Sequence, residues 1–173
     1  MPLEATSPIS KISEDLLYRL ASGAVISMEI FTDGLAEPTN PGTGTYGYAI
    51  YREGKRLATG HGFAGEPVTN NYAEYEGLVK ALRHARRLMS GDQEEEEVTV
   101  YSDSKLLVNQ MNGEWKFKKG GYVEKLVEAR KLASKFTKLK FKWIPREQNS
   151  EADELSRIAY AEATNRKRWK GQE

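Results

Sequence analysis

The feature of this sequence that most limits its possible folds is a change of apolar pattern near residue 70. Before it, three consecutive segments, at about residues 25–33, 46–52 and 55–63, show the alternation or apolar runs that are typical of strands. Strands joined by short connections usually pair with one another, so these segments predict a three-stranded antiparallel meander. After residue 70, helix and strand patterns alternate, which is typical of crossover units with parallel strands.

The patterns after residue 70 complete one α/β domain. Apolar residues spaced by three or four predict a long helix at about 72–89, and VTVYSD predicts a fourth strand leading into a helix that Ser104 caps. Three more elements follow: a helix at about 122–136, a strand at 138–144 and a helix from Asn149 or Ser150. The order βββαβααβα predicts an α/β domain with a five-stranded mixed sheet and helices on both faces.

The 173 residues are enough for one domain with short appendages. The strand and helix patterns place that domain at 25–163, with an N-terminal extension at 1–24 that holds one weak amphipathic helix, and a basic C-terminal tail at 164–173. No apolar stretch approaches the roughly 18–20 residues of a membrane span, and no secretory signal is indicated at the start. We therefore expect a cytoplasmic protein with no membrane partner, and a monomer as the default state.

The residue types available limit the chemistry. The chain has no cysteine and two histidines, which excludes disulfides, thiol nucleophiles and cysteine- or multi-histidine metal sites. The net charge is +1, but residues 114–142 hold ten Lys or Arg and three acids. A local basic face of this kind binds phosphates even when the total charge is near zero. Catalysis would have to come from carboxylates, hydroxyls, amides and basic side chains.

Four carboxylates occupy matching places in the predicted elements. Asp33 and Asp103 end the first and fourth strands, and the other two, Glu74 and Asp153, fall in the first turns of helices. Strand ends and helix starts meet in one crevice of a layered α/β fold, where four acids repel one another unless cations neutralise them. An all-oxygen donor set indicates Mg²⁺ or Mn²⁺, and such a site is typical of two-metal-ion phosphoryl transfer. Taken singly, each acid is better explained by local structure: a turn at Asp33, a helix cap at Asp103, and a favourable charge on a helix dipole at Glu74 and Asp153.

Five motifs, in this order and spacing, resemble the type I ribonuclease H family: FTDG, NPGTGTYGYAI, TNNYAEYEGL, YSDSKLLVNQM and IPREQNSEADELS. The resemblance covers about residues 28–160. It implies hydrolysis of the RNA strand of an RNA/DNA hybrid, such as a replication primer or an R-loop, with 5′-phosphate and 3′-hydroxyl products. It also implies two metal ions, held by the catalytic carboxylates at the matching positions Asp33, Glu74, Asp103 and Asp153.

Two groups of residues beside the acids are candidate substrate contacts. Short polar side chains on loops suit contacts with base edges and 2′-hydroxyls, and four of them lie beside the acids: Asn40, Thr69, Asn70 and Asn71. By resemblance, the asparagines grip the RNA strand and the threonine joins a pocket for a DNA phosphate. A mixed aromatic and basic segment lies where similar enzymes run the DNA strand: Trp115, Lys116, Phe117 and Lys118. The alternatives are helix capping by Asn70 or Asn71, and closure of the core by Trp115 and Phe117.

The sequence departs from the family pattern in ways that bear on function. Many members carry a histidine in the loop before the last carboxylate, whereas the segment IPREQNSEA holds Arg146, which stays protonated and would order a phosphate or the departing product. The chain also lacks the long basic protrusion of some bacterial members, and Pro67 stands where some place an arginine. Two alternatives therefore stay open beside a strict ribonuclease H: a nuclease that also cleaves double-stranded RNA, and a non-catalytic hybrid-binding module.

Overall fold

The computed structural model describes residues 14–89, 96–117 and 119–170. Five strands and five α-helices occupy this part of the chain, with a 3-10 turn at Arg146–Gln148 before the last helix. In chain order they are α1 (Glu14–Ala21), β1 (Ser27–Glu37), β2 (Gly42–Arg52), β3 (Lys55–Val68), α2 (Asn70–Leu88), β4 (Glu97–Ser102), α3 (Lys105–Met111), α4 (Val123–Ala133), β5 (Lys138–Trp143) and α5 (Ser150–Lys170).

The five strands form one mixed sheet in the order β3-β2-β1-β4-β5. The first three strands pair antiparallel, and β4 and β5 are added parallel to β1. This arrangement confirms the predicted fold class, a meander followed by crossover strands. It also places β1 at the centre of the sheet, between β2 and β4, so residues near its C-terminal end can be approached from both sides.

Helices cover both faces of the sheet. Side chains from alternate positions of the central strands, such as Ile30 and Val100, are fully buried in a core that includes Leu78 and Leu82 of α2. On the opposite face, Gly47 of β2 lies against α5. Because neighbouring residues of a strand point to opposite faces, the sheet is held between α2 on one side and α5 on the other.

Several element boundaries differ from those predicted. β1 continues past Asp33 because its pairing with β2 extends as far as Glu37 and Thr43, so Asp33 does not end the strand. α2 begins at Asn70, which places Glu74 just beyond the first turn. α5 continues to Lys170, since no glycine or proline interrupts it before Gly171. The expected helix in the N-terminal extension is confirmed as α1, while residues 1–13 lie outside the described residues.

The domain limits at 25–163 stay a prediction, and the helical continuation to Lys170 includes most of the segment interpreted as a tail. No helix in the described ranges has both the length and the apolar character needed to cross a membrane.

We predict that Gly47→Ala will destabilise the protein by about 1–3 kcal/mol. A Cβ at this position would lie 2.5 Å from the Ala152 carbonyl oxygen and 2.5 Å from the Ser156 nitrogen, so α5 would have to move off the sheet. Urea unfolding measures the loss. Gly121→Ala is the matched control, since its Cβ would meet nothing within 4 Å, and an equal loss in the two variants would contradict the close contact of α5 with β2.

Candidate active site

The contact between β1 and α2 brings the first two candidate acids together. Asp33 is buried on β1, and its neighbour Gly34 packs so closely on the backbone of Glu74 that any Cβ there would overlap it. Gly77, one turn further along α2, packs in the same way, since its Cβ would lie 3.0 Å from the Asp33 carbonyl oxygen. The two glycines allow the helix to lie directly on the strand, so the carboxylates of Asp33 and Glu74 share one cleft.

The parallel neighbour of β1 supplies the third acid. Asp103 follows directly after β4, as the sequence predicted, and Ser104 caps α3 by accepting a hydrogen bond from the Leu107 nitrogen at 3.2 Å. The Ser104 side chain is also hydrogen-bonded to the Glu74 carboxylate. One serine therefore starts the helix and fixes the position of a candidate metal ligand.

Carboxylate oxygens of Asp33, Glu74 and Asp103 lie within 4.8 Å of one another and form a group that could hold a metal ion. Asp153, in the first turn of α5, lines the same cleft of about 490 Å³ but does not belong to this group within the described residues. Its two oxygens instead face guanidinium groups, with Arg146 at 3.5 Å and Arg157 at 3.3 Å.

The electrostatics of the cluster reflect the close spacing of its acids. Loss of hydration, followed by repulsion from Asp103 and Glu74, raises the pKa of Asp33 from 3.8 to about 8. Loss of hydration also raises the pKa of Glu74 to about 7, although the Ser104 hydrogen bond opposes the change. The pKa of Asp103 is raised for the same reason, against the attraction of the Arg146 guanidinium. Such a cluster is costly without cations, and its oxygen donors are those that Mg²⁺ and Mn²⁺ prefer.

Comparison with known proteins identifies the family. Residues 31–159 match the family described as reverse transcriptase-like. The ribonuclease HI of Synechocystis is 30% identical over 156 residues, which cover 80% of this chain and 91% of that protein. The bifunctional protein Rv2228c of Mycobacterium tuberculosis is 38% identical over 122 residues. The chain belongs to the type 1 ribonuclease H family. The Rv2228c match covers 69% of this chain but 32% of that protein, so the chain spans about a third of the length of this longer relative.

Solved ribonuclease H structures match the fold. The N-terminal ribonuclease H domain of Rv2228c superposes with a TM-score of 0.72 at 35% identity, covering 81% of this chain and 97% of that one. The enzyme LC11-RNase H1, crystallised in complex with an RNA/DNA hybrid, superposes with a TM-score of 0.71 at 35% identity, covering 79% and 99%. These likenesses confirm the ribonuclease H fold that the five sequence motifs indicated.

The short polar residues of this ribonuclease H chain hold one another in place beside the acids. The Asn70 side-chain oxygen accepts a hydrogen bond from the Ala36 nitrogen at 2.6 Å, and the Asn40 side-chain oxygen accepts one from the Asn70 nitrogen at 3.0 Å. Thr69 caps α2 through the Tyr72 nitrogen at 3.2 Å. The prediction that Asn70 or Asn71 caps this helix is therefore wrong, because Thr69 provides the capping oxygen.

The aromatic and basic segment after α3 is exposed. The exposed fractions of Trp115 and Phe117 are 47% and 43%, so the alternative in which they close the core is wrong. The Arg130 guanidinium lies 5.3 Å from the centre of the Phe117 ring, and Arg130 also donates to the Gln110 carbonyl oxygen at 2.9 Å. α4 thus helps to hold this loop against α3. Lys116 is exposed, and Lys118 lies outside the described residues.

Sequence reasoning missed three residues that contact the acids of the ribonuclease H cluster. The Trp143 indole donates to the Asp103 carbonyl oxygen at 3.1 Å, and the Asn149 side chain is hydrogen-bonded to the Asp103 carboxylate while donating to the Thr32 carbonyl oxygen at 3.0 Å. Arg157 contacts Asp153. Arg157 could have been found from its spacing, since residues four apart on a helix are neighbours. The other two contacts depend on tertiary packing.

Both histidines have partners away from the acidic cluster. The Nδ1 atom of His84 lies 2.9 Å from the Tyr48 hydroxyl, and loss of hydration together with Arg87 lowers the pKa of His84. His61 contacts Glu162 on α5 at 3.3 Å. Neither histidine lines the acidic cleft.

We predict that the cation-free protein loses stability between about pH 4 and pH 8, partly through Asp33. Its pKa is 3.8 when unfolded and about 8 when folded, so the folded state holds the proton more tightly, and raising the pH through this range favours unfolding. Asp33→Asn removes this contribution, so at pH 8 in EDTA the variant should melt about 2–6 °C above the wild type.

Thermal melting at pH 5 and pH 8, with EDTA or with Mg²⁺, checks this prediction. The advantage of Asp33→Asn should shrink at pH 5, and Mg²⁺ should raise the melting temperature of the wild type more than that of the variant. The exposed acid Glu154 provides the matched control as Glu154→Gln. If Asp33→Asn melts below the wild type at pH 8 in EDTA, the described repulsion is absent.

Proposed function

We propose that this chain is a metal-dependent endoribonuclease that hydrolyses the RNA strand of RNA/DNA hybrids and leaves 5′-phosphate and 3′-hydroxyl ends. The observation that carries the proposal is the convergence of Asp33, Glu74 and Asp103, whose oxygens lie within 4.8 Å of one another in an open cleft. The raised pKa values of these acids indicate a site that is completed by cations. Membership of the type 1 ribonuclease H family supports the same reaction.

The proposed cofactors are two Mg²⁺ or Mn²⁺ ions, held by the three clustered acids and Asp153. When bound in such a site, divalent cations activate water and neutralise the charge that develops on the phosphate. The protein contributes the placement of its carboxylates: Asp33 is fixed by the sheet, Glu74 by α2 and the Ser104 hydrogen bond, and Asp103 by the Asn149 amide. No histidine lies in the loop before Asp153, so no imidazole serves there as a proton acceptor.

Two flanking surfaces are proposed to hold the hybrid. Asn70 lines the acidic cleft, and Asn40 is held next to it, where their amide groups would meet base edges and 2′-hydroxyls of the RNA strand. Asn71 is likewise proposed to contact the RNA strand, and Thr69 to contact a phosphate of the DNA strand. The second surface is the segment with the exposed rings of Trp115 and Phe117, which, with Lys116 and Lys118, is proposed to contact the DNA strand.

Cleavage of double-stranded RNA is a second candidate activity. It stays open because the chain lacks both the loop histidine and the basic protrusion, the two features in which it departs from the family pattern. The cytoplasmic location and the monomeric state expected from the sequence stay predictions.

We predict that the wild-type chain cuts an end-labelled RNA/DNA duplex in Mg²⁺ or Mn²⁺ and not in EDTA, and that Asp103→Asn lowers kcat more than about a hundredfold, since a charged group at the reacting centre is removed. Asp33→Asn and Glu74→Gln should behave alike. RNA/RNA and DNA/DNA duplexes run in parallel give the specificity. Cutting of the hybrid alone defines a strict ribonuclease H, and added RNA/RNA cutting defines the relaxed enzyme.

The assay also identifies the non-catalytic alternative. Hybrid binding without cutting, in a chain whose circular dichroism is normal, would replace the proposed enzyme by a hybrid-binding module. Cutting at near wild-type rates by Asp103→Asn would contradict the assignment of this residue to the reaction.

A separate prediction concerns Arg146, proposed to order a phosphate or the departing product. Its side chain is 65% exposed, so Arg146→Ala should lower kcat/KM by no more than about tenfold, and Arg146→Lys should lower it less because the charge is kept. Steady-state kinetics on the hybrid measure both variants. A loss as complete as that of Asp103→Asn would place Arg146 in the chemical step itself.

A further inference from the structure

The fourth acid of the cleft has different surroundings from the other three. Each oxygen of Asp153 faces a different arginine: Oδ1 lies 3.5 Å from a terminal nitrogen of Arg146, and Oδ2 lies 3.3 Å from Nε of Arg157. The clustered acids repel one another, whereas Asp153, which also repels Asp33, has two guanidinium groups beside it. A cation that takes Asp153 as a ligand must therefore compete with a guanidinium group.

The two arginines are not equivalent. Arg157 also reaches Glu37, the last residue of β1, with 3.7 Å between a terminal nitrogen and Oε1. Arg157 thus lies between two carboxylates and has an alternative partner when it leaves the first. Among the described residues, the only carboxylate within 4.0 Å of Arg146 is Asp153, although its charge also acts on Asp103, and its side chain is the more exposed of the two.

We infer that Arg157 is a positioning residue that competes with a divalent cation for Asp153 and transfers its pairing to Glu37 when the cation binds. The inference rests on the proposed metal site and adds to it a control of cation affinity by two residues that are not ligands. Glu37 and Arg157 both line the acidic cleft, so the exchange needs only side-chain rotation and no movement of β1 or α5.

The exchange follows from simple electrostatics. A guanidinium group beside a carboxylate lowers the affinity of that carboxylate for a second cation, because the two positive charges repel each other at short range. Glu37 reduces this cost by pairing with the displaced arginine. The contacts are partly exposed, and exposed pairs contribute modestly to free energy, so a change of about two- to fivefold in cation affinity is the expected scale.

The test is Mn²⁺ binding to the full chain without nucleic acid, measured from the electron paramagnetic resonance signal of free Mn²⁺. Two bound ions would give a tighter and a weaker phase of Mn²⁺ binding. Arg157→Gln should lower the dissociation constant of the weaker phase by about two- to fivefold. Arg157→Lys, which keeps the charge, should stay nearer the wild type. Unchanged Mn²⁺ binding in Arg157→Gln would overturn the inference.

A double-mutant cycle separates the exchange from a general effect of charge. Glu37→Gln removes the alternative partner and should weaken Mn²⁺ binding in the wild-type background. In the Arg157→Gln background the same substitution should have little effect on Mn²⁺ binding, because no arginine remains to pair with Glu37. If the effects of the two substitutions on Mn²⁺ affinity simply add, each charge acts on the cation independently through space, and the proposed exchange is overturned.

Two controls complete the experiment. Arg166→Gln removes a charge from the same helix, thirteen residues beyond Asp153 or about 20 Å along α5, where salt screens its effect, and it should leave Mn²⁺ binding unchanged. Asp33→Asn should abolish the tighter phase. If Asp33→Asn still binds Mn²⁺ as the wild type does, the metal site itself is refuted, and the inference with it. If Asp33→Asn loses Mn²⁺ binding while the effects of Arg157→Gln and Glu37→Gln simply add, the metal site stands and only the proposed exchange is refuted.

Circular dichroism melting confirms that each variant is folded. Should Arg157→Gln not fold, Glu37→Gln still tests the exchange in an otherwise native chain, since unchanged Mn²⁺ binding in that variant would contradict it.

Discussion

The placement of the acidic side chains depends on how closely two helices approach the central strands. Gly34 and Gly77 let the backbone of α2 lie against β1, and Gly47 does the same for α5 against β2. A larger side chain at any of these positions would separate a helix from the sheet, and with it Glu74 or Asp153 from Asp33. Backbone contact of this kind is rigid because main-chain atoms cannot rotate away as side chains do. The geometry of the cleft is therefore fixed by residues that have no functional group.

The same rigidity concentrates negative charge. Three carboxylates that could relax into solvent on a flexible loop are instead held together at partly buried positions, which raises their pKa values and makes the cation-free site unfavourable. The repulsion is the source of the affinity for cations, since a divalent ion relieves it. Asp153 has a different charge environment from the three clustered acids. Two arginines contact its carboxylate, so a cation that bound there would compete with the protein's own guanidinium groups.

Much of the fold and part of the site could be predicted because they depend on local pattern. Apolar alternation located all five strands, and the serine before α3 was recognised as a cap. Predictions failed where a residue had two local possibilities and long-range contacts chose between them. β1 passes beyond Asp33 because β2 continues to pair with it, and the Asn70 side-chain oxygen accepts from the Ala36 nitrogen, so Thr69 caps α2 instead. Trp115 and Phe117 are exposed although their apolar character is compatible with burial.

The sequence by itself determined the order of strands and helices, the absence of thiol chemistry and of multi-histidine metal sites, and the four acids that five ordered motifs assign to one site. These properties follow from residue type and spacing along the chain. Tertiary structure alone decided that three acids form a cluster and that Arg157 reaches Glu37 on another element. These relations depend on distances of a few ångströms between residues on different elements, from 29 positions apart for Glu74 and Asp103 to 120 for Glu37 and Arg157, which no local pattern encodes.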